Sequence, residues 1–169
     1  AIYKKIQNFR NVNFHKLLPQ GRPLSLEQRI KELFSGTAVP AYQEIFWLPE
    51  NWKFQLDIED RGLKKNWHSS KFDDSKWPLI STWAMYENQG YTDVDGRFWY
   101  RTAVDIPKFT GDKVILRIGS LDDDGEVYVN GKLVYRGVDA DMWDKSFGIN
   151  VTNIIKQGAR NVIAIRGYD

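Results

Sequence analysis

GDKVILRIGSLDDDGEVYVNGKLVY, residues 111–135, decides the fold class, because two alternating runs flank an acidic corner and a tight turn. Val114, Leu116 and Ile118 alternate with Ile115, Arg117 and Gly119, and Val127 and Val129 alternate with Glu126, Tyr128 and Asn130. A period of two gives a strand with unlike faces, whereas a helix would scatter these residues around its axis. Asn130-Gly131 supplies two residues tolerant of positive φ, so Glu126–Asn130 and Lys132–Tyr135 read as a hairpin.

The same period recurs on both sides. Phe54, Leu56 and Ile58 alternate with Lys53, Gln55 and Asp57. Phe98, Tyr100, Thr102, Val104 and Ile106 alternate with Trp99, Arg101 and Asp105 until Pro107 ends the run. Val162–Tyr168 reads as a final strand, preceded by a short turn of helix over Val151–Lys156 and by Gly158. Long crossover helices are missing from residues 50–169, so antiparallel sheets packed face to face are expected, with one face of each buried and the other available. The expected fold is an all-β sandwich.

Residues 1–49 read differently. LSLEQRIKELFSG, residues 24–36, carries Leu26, Ile30, Leu33 and Phe34 at helical spacing, with Ser25 as N-cap and Gly36 as stop. We expect an N-terminal extension, 1–49, with one short helix covering a sheet edge or end, and a sandwich domain, 50–169. A chain of 169 residues has room for one substantial core.

Composition narrows the function. Lys plus Arg number 24 against 22 Asp plus Glu with the signs interspersed, which lacks the concentrated positive field of a nucleic-acid binder. No run approaches the roughly 18 apolar residues of a membrane span, so no membrane insertion is expected. With no cysteine there is neither a disulfide nor a thiolate nucleophile. His15 and His68 are too few for a three-histidine metal site, and Ser69-Ser70 beside His68 lacks the setting of a nucleophile turn. The expected chain is not an enzyme.

Residues 52–169 resemble the jelly-roll, galactose-binding-like domain that accompanies glycoside hydrolases, as in the sugar-binding domains of the β-galactosidase and β-glucuronidase family and of sialate O-acetylesterases. The likeness lies in Phe72-Asp73-Asp74-Ser75-x-Trp77, Asp95-Gly96-x-x-Trp99-Tyr100-Arg101 and Leu121-Asp122-Asp123-Asp124 with Val127-Tyr128-Val129-Asn130-Gly131. It continues through Phe147, Val151–Ile155, Gly158 and Asn161–Ile165. The resemblance implies a jelly-roll β-sandwich, a poly- or oligosaccharide ligand, a catalytic domain in the same polypeptide, and a secreted, periplasmic or bacterial cell-surface setting. It also implies a structural calcium.

The residue types suit a sugar, whose apolar CH face lies over an aromatic ring and whose hydroxyls need carboxylates, amides or guanidinium groups. Trp83, Tyr86 and Tyr91 fall in a loop with few strand signals, and Trp99 shares a strand face with Arg101. These five, with Asp122 and Asp124 as hydroxyl acceptors, form the expected ligand surface, although a second buried face would equally explain Trp99 and Arg101. Trp77 reads as a packing anchor. Asp93, Asp95, Asp122 and Asp124 supply hard oxygens for Ca²⁺ without an EF-hand series, and turn-tying carboxylates are the other reading.

Overall fold

The computed structural model describes residues 45–92, 94, 96–119, 121, 124–137 and 146–168. The expected helix at 24–36 lies outside them, with the rest of residues 1–44. The described residues form eight strands: β1 Asn51–Leu56, β2 Leu79–Ser81, β3 Arg97–Ile106, β4 Ile115–Ile118, β5 Gly125–Val129, β6 Lys132–Gly137, β7 Phe147–Asn150 and β8 Ala159–Tyr168. The six-stranded sheet runs β2-β1-β3-β8-β5-β6, and β4 pairs with β7 in a second, two-stranded sheet. Every pairing is antiparallel.

The strands and the tight turn of the quoted stretch form as read. β5 and β6 form a hairpin that closes at Val129↔Lys132, with Asn130 at φ 52° and Gly131 at φ 83°. Consecutive left-handed residues match the twist of the two strands, which is why Asn-Gly suits this position. The final run becomes β8, held between β3 and β5 with Tyr100↔Ile165 and Val127↔Ile165 in register. The turn at Val151–Lys156 is a single one, with Val151 O accepting from Ile154 N at 2.9 Å and Ile155 N at 3.0 Å.

One face of the large sheet builds the main core. Phe54, Phe98, Tyr100, Val127, Val129 and Ile163 are all buried there, against Ile118 of β4 and Ile149 of β7. Tyr86 closes the same core from the β2–β3 loop, its ring 5.4 Å from that of Phe54. Gly167 is fixed by this packing, because a Cβ there would overlap the ring of Phe98, which is itself buried. Gly167→Ala is therefore expected to cost about 1–3 kcal/mol in urea unfolding. A loss under about 0.5 kcal/mol would show that the Phe98 ring moves aside without cost.

The expectation of an available second face is overturned. All five residues of β5 are buried, and Arg97–Ile106 is buried from Phe98 through Thr102. The segment between β1 and β2, residues 57–78, lies across that face. It seats Trp67 and Trp77 against Trp99, Tyr128 and Ala164 in a second core, with Phe72 at its margin. Alternation along β3 thus separates two interiors, not an interior from water.

Candidate functional site

The covering segment is held by three clamps, each built on a side chain from the second face. First, Asp57 leaves β1 with its N–H donating to Arg97 O at 2.7 Å, and its buried carboxylate accepts from Arg61 N at 2.7 Å, Gly62 N at 2.8 Å and Trp99 Nε1 at 3.0 Å. Three N–H donors satisfy a carboxylate that burial would otherwise penalise. Gly62 is required by the approach, since a Cβ there would overlap Trp99 Nε1, Asp57 Oδ2 and the Trp67 ring. Ile58, expected to point inward, is 68% exposed because the strand ends at Leu56 and Asp57 takes the interior place.

Second, Arg101 is 1% exposed. Its Nε donates to Asp74 Oδ2 at 2.8 Å, its Nη1 to Trp67 O, and its Nη2 to Ser69 O at 3.2 Å. Phe72 lies beneath the guanidinium, 5.3 Å from ring centre to Cζ.

Third, the register sets Trp99, Arg166, Glu126 and Arg136 in one row across β3, β8, β5 and β6. Arg166 donates through Nη1 to Glu126 Oε2 at 3.1 Å and through Nη2 to Asp60 Oδ1 on the covering segment. Arg136 Nη2 lies 2.8 Å from Glu126 Oε1, and Tyr128 donates to Glu126 Oε2 at 2.5 Å. Burial pushes the Glu126 carboxyl up, but the hydrogen bonds from Tyr128 and Arg166 with the two cations outweigh it, leaving it below its ordinary value. Burial and the same carboxylate together push the Tyr128 phenol far up, so it stays a donor. Arg97 continues the charge chain toward solvent, 3.6 Å from Asp60 Oδ2 and 5.1 Å from the Tyr168 ring centre.

These contacts correct the expected ligand surface at Trp99, Arg101 and Tyr86. Trp99 is 0% exposed, with Tyr128 stacked at 5.7 Å and Trp67 edge-on at 6.2 Å, so no face of its ring is left for a sugar. Arg101 spends its donors on Asp74 and two carbonyls. Tyr86 is 1% exposed, with its hydroxyl donating to Val94 O at 3.1 Å. Tyr91 is half-buried and edge-on to Phe54 at 4.8 Å, and Trp83 is half-buried with its backbone N–H donating to Ser81 Oγ at 3.1 Å. Of the acidic residues, Asp93, Asp95 and Asp122 lie outside the described residues. Asp124 is half-buried, and its carbonyl accepts from Tyr168 N at 3.3 Å. Among the described residues no group of three or more His, Asp or Glu stands together to hold a metal.

Sequence reasoning missed Asp57, Asp60, Glu126 and Arg166, which belong to clamps made at long range. It also passed over Phe46 and Trp47, 41% and 39% exposed, because they sit in the stretch read as an extension.

No family model matches the chain. Over 92 residues it is 29% identical to the β-glucuronidase of Paenibacillus borealis, covering 53% of this chain and 15% of that protein. Among solved structures, the β-glucuronidase of Ruminococcus gnavus in complex with uronic isofagomine aligns with a TM-score of 0.61 at 22% identity, over 78% of this chain and 22% of that one. Its complex with D-glucaro-1,5-lactone gives 0.60 at 23% identity, over 77% and 23%. The fold is shared with part of a β-glucuronidase. The chain spans less than a quarter of the length of each of these relatives.

Proposed function

We propose that this chain is a non-catalytic carbohydrate-binding domain of a secreted, multidomain protein that processes polysaccharide. The observation that carries this reading is the partial match itself: a 92-residue stretch aligns at 29% identity with one β-glucuronidase and 78% of the chain superposes on part of another, over a small fraction of their length. Such a domain works by raising the local concentration of glycan beside a catalytic partner, with no bond made or broken on its own surface. The test is a glycan array with the purified chain, read for saturable binding to a defined poly- or oligosaccharide. Product release from any bound glycan would refute the non-catalytic part, and silence across plant, algal and host glycans would refute binding.

A second reading, a structural accessory domain that packs on the catalytic domain, is favoured by one surface. Ile58, Leu63 and Tyr168 are 68%, 36% and 49% exposed around the outer end of the third clamp, where Arg97 meets Asp60 and Tyr168. Exposed apolar groups rimmed by paired charges suit a protein neighbour better than water. Array silence together with loss of a stable complex in an Ile58→Asp variant would establish this role in place of the first.

A further inference from the structure

We propose that Asn130-Gly131 is a deamidation site, held closed by the fold and released when the β5–β6 hairpin comes away from its neighbours, so that the product marks molecules that have opened. The assignment is independent of the carbohydrate-binding reading above. Asn130-Gly131 is the only Asn-Gly pair in the chain. Glycine leaves the nitrogen that follows the asparagine unshielded by a side chain, and both residues are only half-buried, so water and hydroxide reach them. Solvent access alone would make this a fast site. The Asn130 amide is tied instead: Nδ2 donates to Ile154 O at 2.9 Å and to Asn161 Oδ1 at 2.8 Å, and Oδ1 accepts from Val162 N at 3.0 Å. Both amide hydrogens and the carbonyl oxygen are engaged with the 151–156 turn and β8, and Cγ cannot swing onto Gly131 N without breaking these bonds.

The same bonds make the change one-way. Once the hairpin opens, the Gly131 nitrogen gives its proton to hydroxide and attacks Asn130 Cγ. The new N–Cγ bond closes a five-membered succinimide, the Cγ–Nδ2 bond breaks, and Nδ2 leaves as ammonia, protonated by water. Water then opens the ring: cleavage at N–Cγ gives aspartate, and cleavage between the nitrogen and the main-chain carbonyl carbon gives isoaspartate. The net change consumes water, releases ammonia and transfers no electron. An aspartate at 130 has no hydrogens for Ile154 O and Asn161 Oδ1 and sets an anion against both. Asn161, wholly buried, cannot turn its amide to help, because Lys156 N donates to its Oδ1 at 2.8 Å while Lys156 O and Ala159 O accept from its Nδ2, each at 2.8 Å. Isoaspartate adds a backbone carbon to a two-residue loop whose Asn130 and Gly131 sit at φ 52° and 83°. Either product closes the hairpin less well than the asparagine it replaces.

The test is peptide mapping of the full chain after incubation in mildly alkaline buffer, with and without denaturing urea. Residues 118–132 lie between tryptic sites and hold Asn130 as their one amide side chain, so conversion of an amide to an acid in that peptide is assigned without ambiguity. The proposal predicts conversion at least about tenfold faster in urea than in native buffer. Asn161→Ala, which removes one acceptor of Nδ2, should quicken the reaction in native buffer well below its melting temperature. Asn130→Asp should melt below Asn130→Gly, which vacates the same place and accepts the same φ. Equal rates in the two buffers would overturn the proposal, and so would an unconverted peptide in urea. A native rate unchanged by Asn161→Ala would show that the hydrogen bonds do not hold the amide, and an Asn130→Asp melting temperature at or above that of Asn130→Gly would remove the one-way product. The two rates of the unaltered chain decide the matter even where a variant fails to fold.

Discussion

Trp99→Ala is expected to lower folding stability by about 3–5 kcal/mol, a large fraction of the roughly 5–15 kcal/mol that holds a single domain folded. The ring is wholly buried between Tyr128 and Trp67, and its Nε1 completes the coordination of the Asp57 carboxylate. Removal opens a cavity between the sheet and its covering segment. It also leaves a buried carboxylate with two donors in place of three. Trp99→Phe separates the two effects, since it keeps most of the ring contact and loses the N–H; a smaller loss of about 1–3 kcal/mol is expected. Urea unfolding followed by far-UV circular dichroism measures both. An alanine variant within about 1 kcal/mol of the unaltered chain would mean that the covering segment does not seal this face.

The reach of the sequence is visible in this residue. Strand period is a local property, so Phe98 to Ile106 could be read as a strand, and Asn130-Gly131 as its own turn, from neighbours alone. Which side of that strand meets water is not local. Trp99 and Arg101 share a face because of the two-residue period, and both are buried because a segment that leaves β1 at Asp57 folds back over them. That segment is a series of turns, with Trp67 N on Gly62 O and Ser69 N on Asn66 O, and it has no periodicity to announce what it covers. An Arg beside a Trp on a strand therefore looked like a ligand surface and is a pair of anchors. The Phe72–Trp77 segment was legible as packing, and Asp74 within it proves to be the partner of Arg101. Phe46 and Trp47, at the end of the stretch read as an extension, are two of the most exposed aromatic side chains among the described residues.

Arg166→Met should remove about 3 kcal/mol at neutral pH, and less in acid. Arg166 joins the sheet to the covering segment by pairing with both Glu126 and Asp60. Methionine fills similar volume without charge, so the loss falls chiefly on Glu126, which is left in a poor environment for an anion with only Arg136 and the Tyr128 hydroxyl beside it. The pH dependence follows from the direction in which Glu126 is held. A carboxyl whose folded value lies below its ordinary 4.5 contributes stability above that value, and the contribution is lost as pH falls through the folded one. Without Arg166 the depression shrinks or reverses, so the variant has less to lose on acidification. The gap between the two proteins in urea unfolding is thus expected to narrow as pH is lowered from 7 toward 3. Adding Glu126→Gln to Arg166→Met should cost less than the sum of the single changes, because no unpaired anion then remains in the row. A gap that stays constant with pH, or strict additivity in the double variant, would mean that Arg166 acts through packing of its aliphatic stem and that the charge row contributes nothing to holding the covering segment on the sheet.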